Sequence, residues 1–145
     1  MIRFTTGDLF ASGAQTLTNT VNCVGVMGKG VALEFRRRFP AMYEDYRRRA
    51  KAGLVLPGRP YLYKESDPWI LNFPTKRHWR EGSRLADIEA GLRFLREHHR
   101  EWGISSLALP PLGCGLGGLE WSQVKPLIER YLGDLEIEVT VFEPA

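Results

Sequence analysis

The stretch from Asn72 to Arg80 reads NFPTKRHWR and sets a lysine, two arginines, a histidine and a tryptophan behind a proline that should stop a strand. A lysine can attack an electrophilic carbon when neutral, or hold a fixed positive charge against a departing anion when protonated. Arginines interleaved with an aromatic suit a polyanion that carries planar rings. Lys76 is therefore the first candidate for chemistry, with Arg77, His78, Trp79, Arg80 and Arg84 as candidates for holding a strand beside it. A solvated basic loop has the same composition, so the surroundings must decide.

Two glycine-rich turns supply those surroundings. CVGVMGKG holds Gly25, Gly28 and Gly30, and PPLGCGLGG holds Gly113, Gly115, Gly117 and Gly118; each falls between a strand pattern and a helix pattern. Glycine permits close backbone approach, so amide groups can converge on an anion beside the positive end of the following helix. Two such loops could clasp a diphosphate, and either alone could equally be a tight turn. The span from Gly25 to Lys29 is too short for a P-loop and no Ser or Thr follows the lysine. GxGxxG is met only loosely at 113–118, far from the first strand. Both motifs argue against a P-loop nucleotidase or a dinucleotide dehydrogenase.

The elements that must position these loops are legible in the apolar pattern. IRFTTGDLF reads as a strand turning at Gly7-Asp8, and TLTNTVN (16–22) as a second. Helical spacing from Val31 ends at Pro40, and a further helix through Met42, Tyr46 and Ala50 closes at Gly53. RPYLYKE and PWILNF are short strands around Ser66-Asp67-Pro68. After Ser83 as expected cap, Leu85, Ile88, Leu92, Leu95, His99 and Trp102 form one stripe, with Arg84, Asp87 and Arg93 off it. ISSLALPPLG is the apolar run of a strand covered on both faces. A helix through Val124, Ile128 and Tyr131, with Pro126 near its first turn, precedes the alternating EIEVTVFE. Strands alternating with helices predict a three-layer α/β/α domain around a mixed, mostly parallel sheet, with ligands outside the carboxyl ends of the strands.

At 145 residues the chain fits one domain, with 43% hydrophobic and 26% charged residues. No apolar run approaches the roughly 20 residues of a membrane span, and the start lacks a signal-peptide core, so a cytoplasmic protein without a membrane partner is expected. Cys23 and Cys114 stand alone beside glycines, which predicts reduced packing residues and no metal site. Net charge is +3, yet 15 of the 20 basic residues are arginine, bunched at 36–38, 47–49 and 77–84. Such bunching permits polyanion binding, and on a helix such as 36–38 a solvated face is the commoner outcome.

GDLF (7–10), TNTVNCVGVMGKGVA (18–32) and PPLGCGLGGLEW (110–121) together resemble the macrodomain, an ADP-ribose-binding α/β/α module, over nearly the whole chain. The resemblance implies that Asp8, with Leu9, receives the adenine. It implies that the glycine loops cradle the diphosphate through Gly25, Gly28, Lys29, Gly30 and Val31 on one side. Pro111, Gly113, Cys114, Gly115, Leu116, Gly117 and Gly118 would do so on the other. Asn19 joins this set, and Asn22 faces the distal ribose. Asp8 could also simply stabilise its TGD turn, and Asn22 its own.

Within the family, NFPTKRHW and NTVNCVGVMGKGVALEF are most similar to the branch of DarG-type antitoxins, which remove ADP-ribose from thymine in single-stranded DNA. That similarity implies Lys76 as the catalytic residue, Asn22 as its companion, and a DNA strand held by Arg77, His78, Trp79, Arg80 and Arg84. It also implies ADP-ribose as product, a DarT-like toxin as the opposing transferase, no cofactor, a monomer, and a single macrodomain at the amino-terminal end of a longer antitoxin. A hydrolase of carboxylate-linked ADP-ribose and a non-catalytic ADP-ribose reader are the alternatives.

Two routes fit a lysine there. A neutral amine could form a Schiff base with the ribose, although an ordinary lysine, with a pKa of about 10.4, is charged at neutral pH. A charged lysine could instead stabilise the thymine leaving through N3 while water attacks an oxocarbenium-like carbon. Related glutamate-directed hydrolases carry an aspartate in the second glycine loop to release a covalent adduct. Gly117 stands there in this chain, which favours the non-covalent route.

Overall fold

Six strands and four helices make up the computed structural model, which describes residues 1–145. The order is β1 (Ile2–Thr5), β2 (Thr16–Asn22), α1 (Gly30–Arg38), α2 (Pro40–Lys51), β3 (Tyr61–Tyr63), β4 (Trp69–Lys76), α3 (Leu85–Trp102), β5 (Ser106–Leu109), α4 (Trp121–Leu132) and β6 (Glu138–Phe142). Single 3-10 turns at Leu9–Ala11 and Gly115–Gly117 interrupt the loops. The strands form one sheet in the order β1-β6-β5-β2-β4-β3. Every pairing is parallel except the antiparallel edge β3·β4. This is the three-layer, mostly parallel α/β/α arrangement that the alternating pattern predicts.

Successive residues of the central strands feed opposite faces, which is why these strands read as continuous apolar runs. Ile70 and Ala108 join Phe35, Met42 and Tyr46 under α1 and α2. Their neighbours Leu71, Leu107 and Leu109 join Ile88, Leu92, Val124 and Ile128 under α3 and α4. Helix α3 lies especially close to β4, because a Cβ at Gly91 would come within 2.7 Å of Phe73 Cε1. No helix is long and apolar enough to cross a membrane.

Three local expectations need correction. Pro74 does not stop β4, which continues through Thr75 to Lys76. Strand β3 pairs only with residues 70–72, so at Pro74 the strand is open on that side and its missing N–H deprives no ladder partner there. Ser83 is not the cap of α3: Arg84 holds that position without a side-chain bond, and the helix ends at Gly103 with φ 81°. Pro126 lies in the second turn of α4, because that helix starts at Trp121.

Candidate active site

The irregularity that carries β4 past its proline also builds the site. Parallel pairing of β2 with β4 runs in step from Thr16↔Trp69 to Val21↔Pro74, then slips so that Asn22 pairs with Lys76 and Thr75 is the extra residue. A bulge of this kind re-aims the side chains that follow it. Lys76 and Asn22 thereby become neighbours at the carboxyl end of the sheet, on the floor of a cleft of about 560 Å³. One wall is the first turn of α1 with Gly28, Lys29, Gly30 and Val31, and the other is the second glycine loop with Pro111, Gly113, Cys114, Leu116 and Gly117. Leu116 is 64% exposed and reaches across the mouth, its Cδ1 lying 3.4 Å from where a Cβ on Gly30 would sit.

No aspartate or glutamate lines this cleft, whereas Lys29 and Lys76 do. An anion entering it meets two cations, the first-turn amides of α1 that lack intrahelical acceptors, and no carboxylate.

Asn22 is a hub for the first glycine loop. Its Oδ1 accepts from the backbone N–H groups of Val24 (3.1 Å), Gly25 (3.1 Å) and Val26 (3.2 Å), and from the Tyr46 hydroxyl (2.9 Å). Its Nδ2 donates to the Val26 carbonyl at 2.7 Å, which leaves one amide hydrogen for the cleft. The Tyr46 hydroxyl also lies 2.6 Å from the Asn22 carbonyl, and burial pushes its pKa well above the ordinary tyrosine range. Asn22 therefore holds its own turn whatever it does for a ligand.

The segment after Lys76 is tied down at both ends. Arg77 donates from Nε and Nη2 to the two Asp87 oxygens at 3.0 and 3.1 Å, and this bond with a carboxylate raises the guanidinium pKa further. Two of its three nitrogens are thus engaged by α3, while the side chain stays 45% exposed. Asp87, expected off the buried stripe, is itself buried by this pairing. At the other end the Ser83 N–H donates to the Gly117 carbonyl at 2.8 Å. Between the two ties Trp79 is 45% exposed and faces the cleft, without a core role. Its ring lies 5.3 Å from that of His78, and the Arg80 guanidinium sits 4.5 Å from its centroid. The His78 ring nitrogen Nδ1 accepts the Arg80 N–H at 3.1 Å. Arg84 lies outside the cleft, 3.8 Å from Glu81.

Gly117 has a steric reason to be glycine. A Cβ there would overlap Ser83 Oγ and come within 3.1 Å of Ser83 Cβ. Ser83 Oγ, buried and without a partner, thus fills the space a side chain at 117 would need. Cys114 faces the cleft with its thiol pKa pushed up by burial, and burial likewise raises that of Cys23, with a further push from Asp87.

Some expected residues fall elsewhere. Asn19 is fully buried and donates to Asn72 Oδ1 at 3.1 Å, in a polar pair under the loop. Gly25 faces helix α2 through Ala50, with its amide taken by Asn22. Gly115 and Gly118 are outside the cleft lining, as are Asp8 and Leu9. Asp8 caps its short turn by accepting the Phe10 N–H at 2.9 Å, and Leu9 packs into the core. Thr20 and Thr75 also line the cleft, beyond the candidate residues named from the sequence. Thr20 was readable as the same-face neighbour of Asn22 two residues earlier on a strand, whereas Thr75 follows from the bulge. No signal in the sequence marks Tyr46, Ser83 or Asp87, because their roles arise only from tertiary packing.

The macro domain model matches residues 18–128, which takes in most of β2, both glycine loops and Lys76. The chain belongs to the macro domain family. It is 48% identical over 149 residues to the DNA ADP-ribosyl glycohydrolase of Thermus aquaticus, an alignment covering 99% of this chain and 41% of that protein. The solved macrodomain of Thermus aquaticus DarG superposes with a TM-score of 0.94 at 47% identity, covering 99% of both chains. Thermosipho africanus DarTG in complex with ADP-ribose superposes with a TM-score of 0.95 at 48% identity, covering 99% of this chain and 41% of that one. The chain spans about two-fifths of the length of the curated relatives it matches.

Proposed function

We propose that this macrodomain is a glycohydrolase that removes ADP-ribose from thymine bases in single-stranded DNA, opposing a DarT-like transferase. The observation that carries the reading is the carboxylate-free cleft with Lys76 on its floor beside Asn22. Glycosidases that rely on paired carboxylates need an acid at the scissile bond, and here none lines the cleft. The positive charge of Lys76 supplies what remains. Lys29, the first turn of α1 and the second glycine loop receive the diphosphate, and the free Asn22 amide hydrogen reaches the distal ribose. As the bond from the ribose anomeric carbon to thymine N3 breaks, negative charge spreads over the thymine carbonyls beside the Lys76 ammonium. Water adds its oxygen to the anomeric carbon, and its proton ends on thymine. The charge develops only along the reaction, so the lysine stabilises the transition state more than the ground state.

Trp79, backed by Arg80 and His78, offers a face on which a base can stack. The non-covalent route is supported by Gly117, where Ser83 leaves no room for a carboxylate side chain. The near-half identity to a protein named DNA ADP-ribosyl glycohydrolase supports the choice of bond. The test offers the wild-type protein a thymidine oligonucleotide and a glutamate peptide, each carrying ADP-ribose. Release from the oligonucleotide at least tenfold faster is expected, and preferential release from the peptide would refute the assignment.

A further inference from the structure

The arginines of α1 and α2 have no part in the cleft, and their charge is not balanced locally. Residues 30–51 hold seven basic and three acidic side chains, a net +4 in a chain whose total is +3. The acids are mostly spoken for: Glu34 pairs with Arg38 and Asp45 with Arg49, each at 2.8 Å. Arg36, Arg47 and Lys51 have no carboxylate partner, and Glu44 is the one acid left on these helices. The opposite face differs, since Arg93, Arg96 and Arg100 of α3 are each matched to a carboxylate.

These free cations lie in a line that leads to the reaction centre. Tyr43, Arg47 and Lys51 recur every fourth residue on α2 and so share one stripe, about 12 Å long. Arg36 extends it from α1, its guanidinium 4.4 Å from the Tyr43 ring centroid. Within the stripe the Arg47 stem packs on Gly25, with Cγ 4.0 Å from where a Cβ would be, and the Gly25 amide is bonded to Asn22, the partner of Lys76. Val24 and Val26 are 46% and 41% exposed on the same rim and offer apolar surface to a base.

We propose that this stripe is a backbone track for the single-stranded DNA flanking the modified nucleotide, with Arg47 and Lys51 contacting successive phosphates. The inference rests on the DNA reading of the cleft. It places the strand on two sides of Lys76, with Trp79 and Arg80 on one and α2 on the other. A phosphodiester chain fits because the stripe offers repeated cations with no carboxylate paired to them, and an aromatic ring between Arg36 and Arg47.

The test measures binding of unmodified oligothymidylate to wild type and to the Arg47→Gln/Lys51→Gln variant across a salt series. Loss of two phosphate contacts from a single strand should flatten the slope of log affinity against log salt by about 1.4. Free ADP-ribose should bind both proteins alike, since neither residue lines the cleft. Arg93→Gln/Arg100→Gln, which removes equal charge from the other face, should leave the slope within 0.3 of wild type. An unchanged slope in the α2 variant, or an equal change in the control, overturns the track. So does a requirement for Arg47 and Lys51 in binding a DarT-like protein with no effect on oligothymidylate. Failure of wild type to release ADP-ribose from a modified oligonucleotide would instead overturn the glycohydrolase reading, and the salt slope would still judge the track.

Discussion

Gly117→Ala probes the coupling between the segment that carries Lys76 and the second glycine loop. The added methyl would overlap Ser83 Oγ and stand 3.1 Å from Ser83 Cβ, whereas ordinary contact begins at 3.4 Å. Rotation about χ1 can move Oγ, but Cβ stays close, because the Ser83 N–H bonded to the Gly117 carbonyl at 2.8 Å holds the backbone. Overpacking at a buried position typically costs about 1–3 kcal/mol. Ser83→Gly deletes both clashing atoms, after which the nearest remaining atom is the backbone nitrogen of residue 83 at 4.0 Å. The double variant should therefore recover most of the loss, giving a coupling energy of about 1–2 kcal/mol in a double-mutant cycle. Urea unfolding supplies the stabilities, and calorimetric titration with ADP-ribose shows how the change affects ligand binding. Single effects that add to within about 0.5 kcal/mol would refute the steric argument. The same geometry would then no longer explain why this position cannot accept the aspartate of the glutamate-directed hydrolases.

Trp79→Ala should raise KM for a modified oligonucleotide roughly tenfold, the equivalent of about 1.4 kcal/mol of lost stacking, and change the affinity for free ADP-ribose little. Equal losses for both ligands would mean that Trp79 shapes the cleft instead of stacking on a base. The two thiols give a pH prediction. Burial raises both pKa values, so Cys23 and Cys114 stay protonated at neutral pH and should react slowly with iodoacetamide at pH 7, faster as pH rises past the ordinary thiol range. Saturating ADP-ribose should protect Cys114, which lines the cleft, and protection confined to Cys23 would contradict the placement.

Much of this fold could be read from sequence because its signals are local and consistent. The stripe of α3 and the double-sided apolar runs of β4 and β5 each name their element and their burial. The site was legible where chemistry and chain position coincide: the two glycine loops follow strands and Lys76 ends one. It failed where tertiary geometry decides. Pro74 looks like a strand terminator, yet β4 passes through it because β3 is too short to need its N–H, and the resulting bulge sets Lys76 against Asn22. Arg77 reads as one more cation of a basic loop, and its pairing with Asp87 depends on how α3 docks. Asn19 shares a strand with Asn22 and differs only in where it points, toward Asn72 in the interior.

The central claim is that Lys76 supplies the positive charge on which departure of the base depends. Time-resolved release of ADP-ribose from a modified thymidine oligonucleotide, comparing wild type with Lys76→Ala, tests it most directly. The account predicts a fall in kcat of roughly 10²–10³-fold with ADP-ribose affinity changed by no more than a few-fold. An undiminished rate in the variant would contradict it.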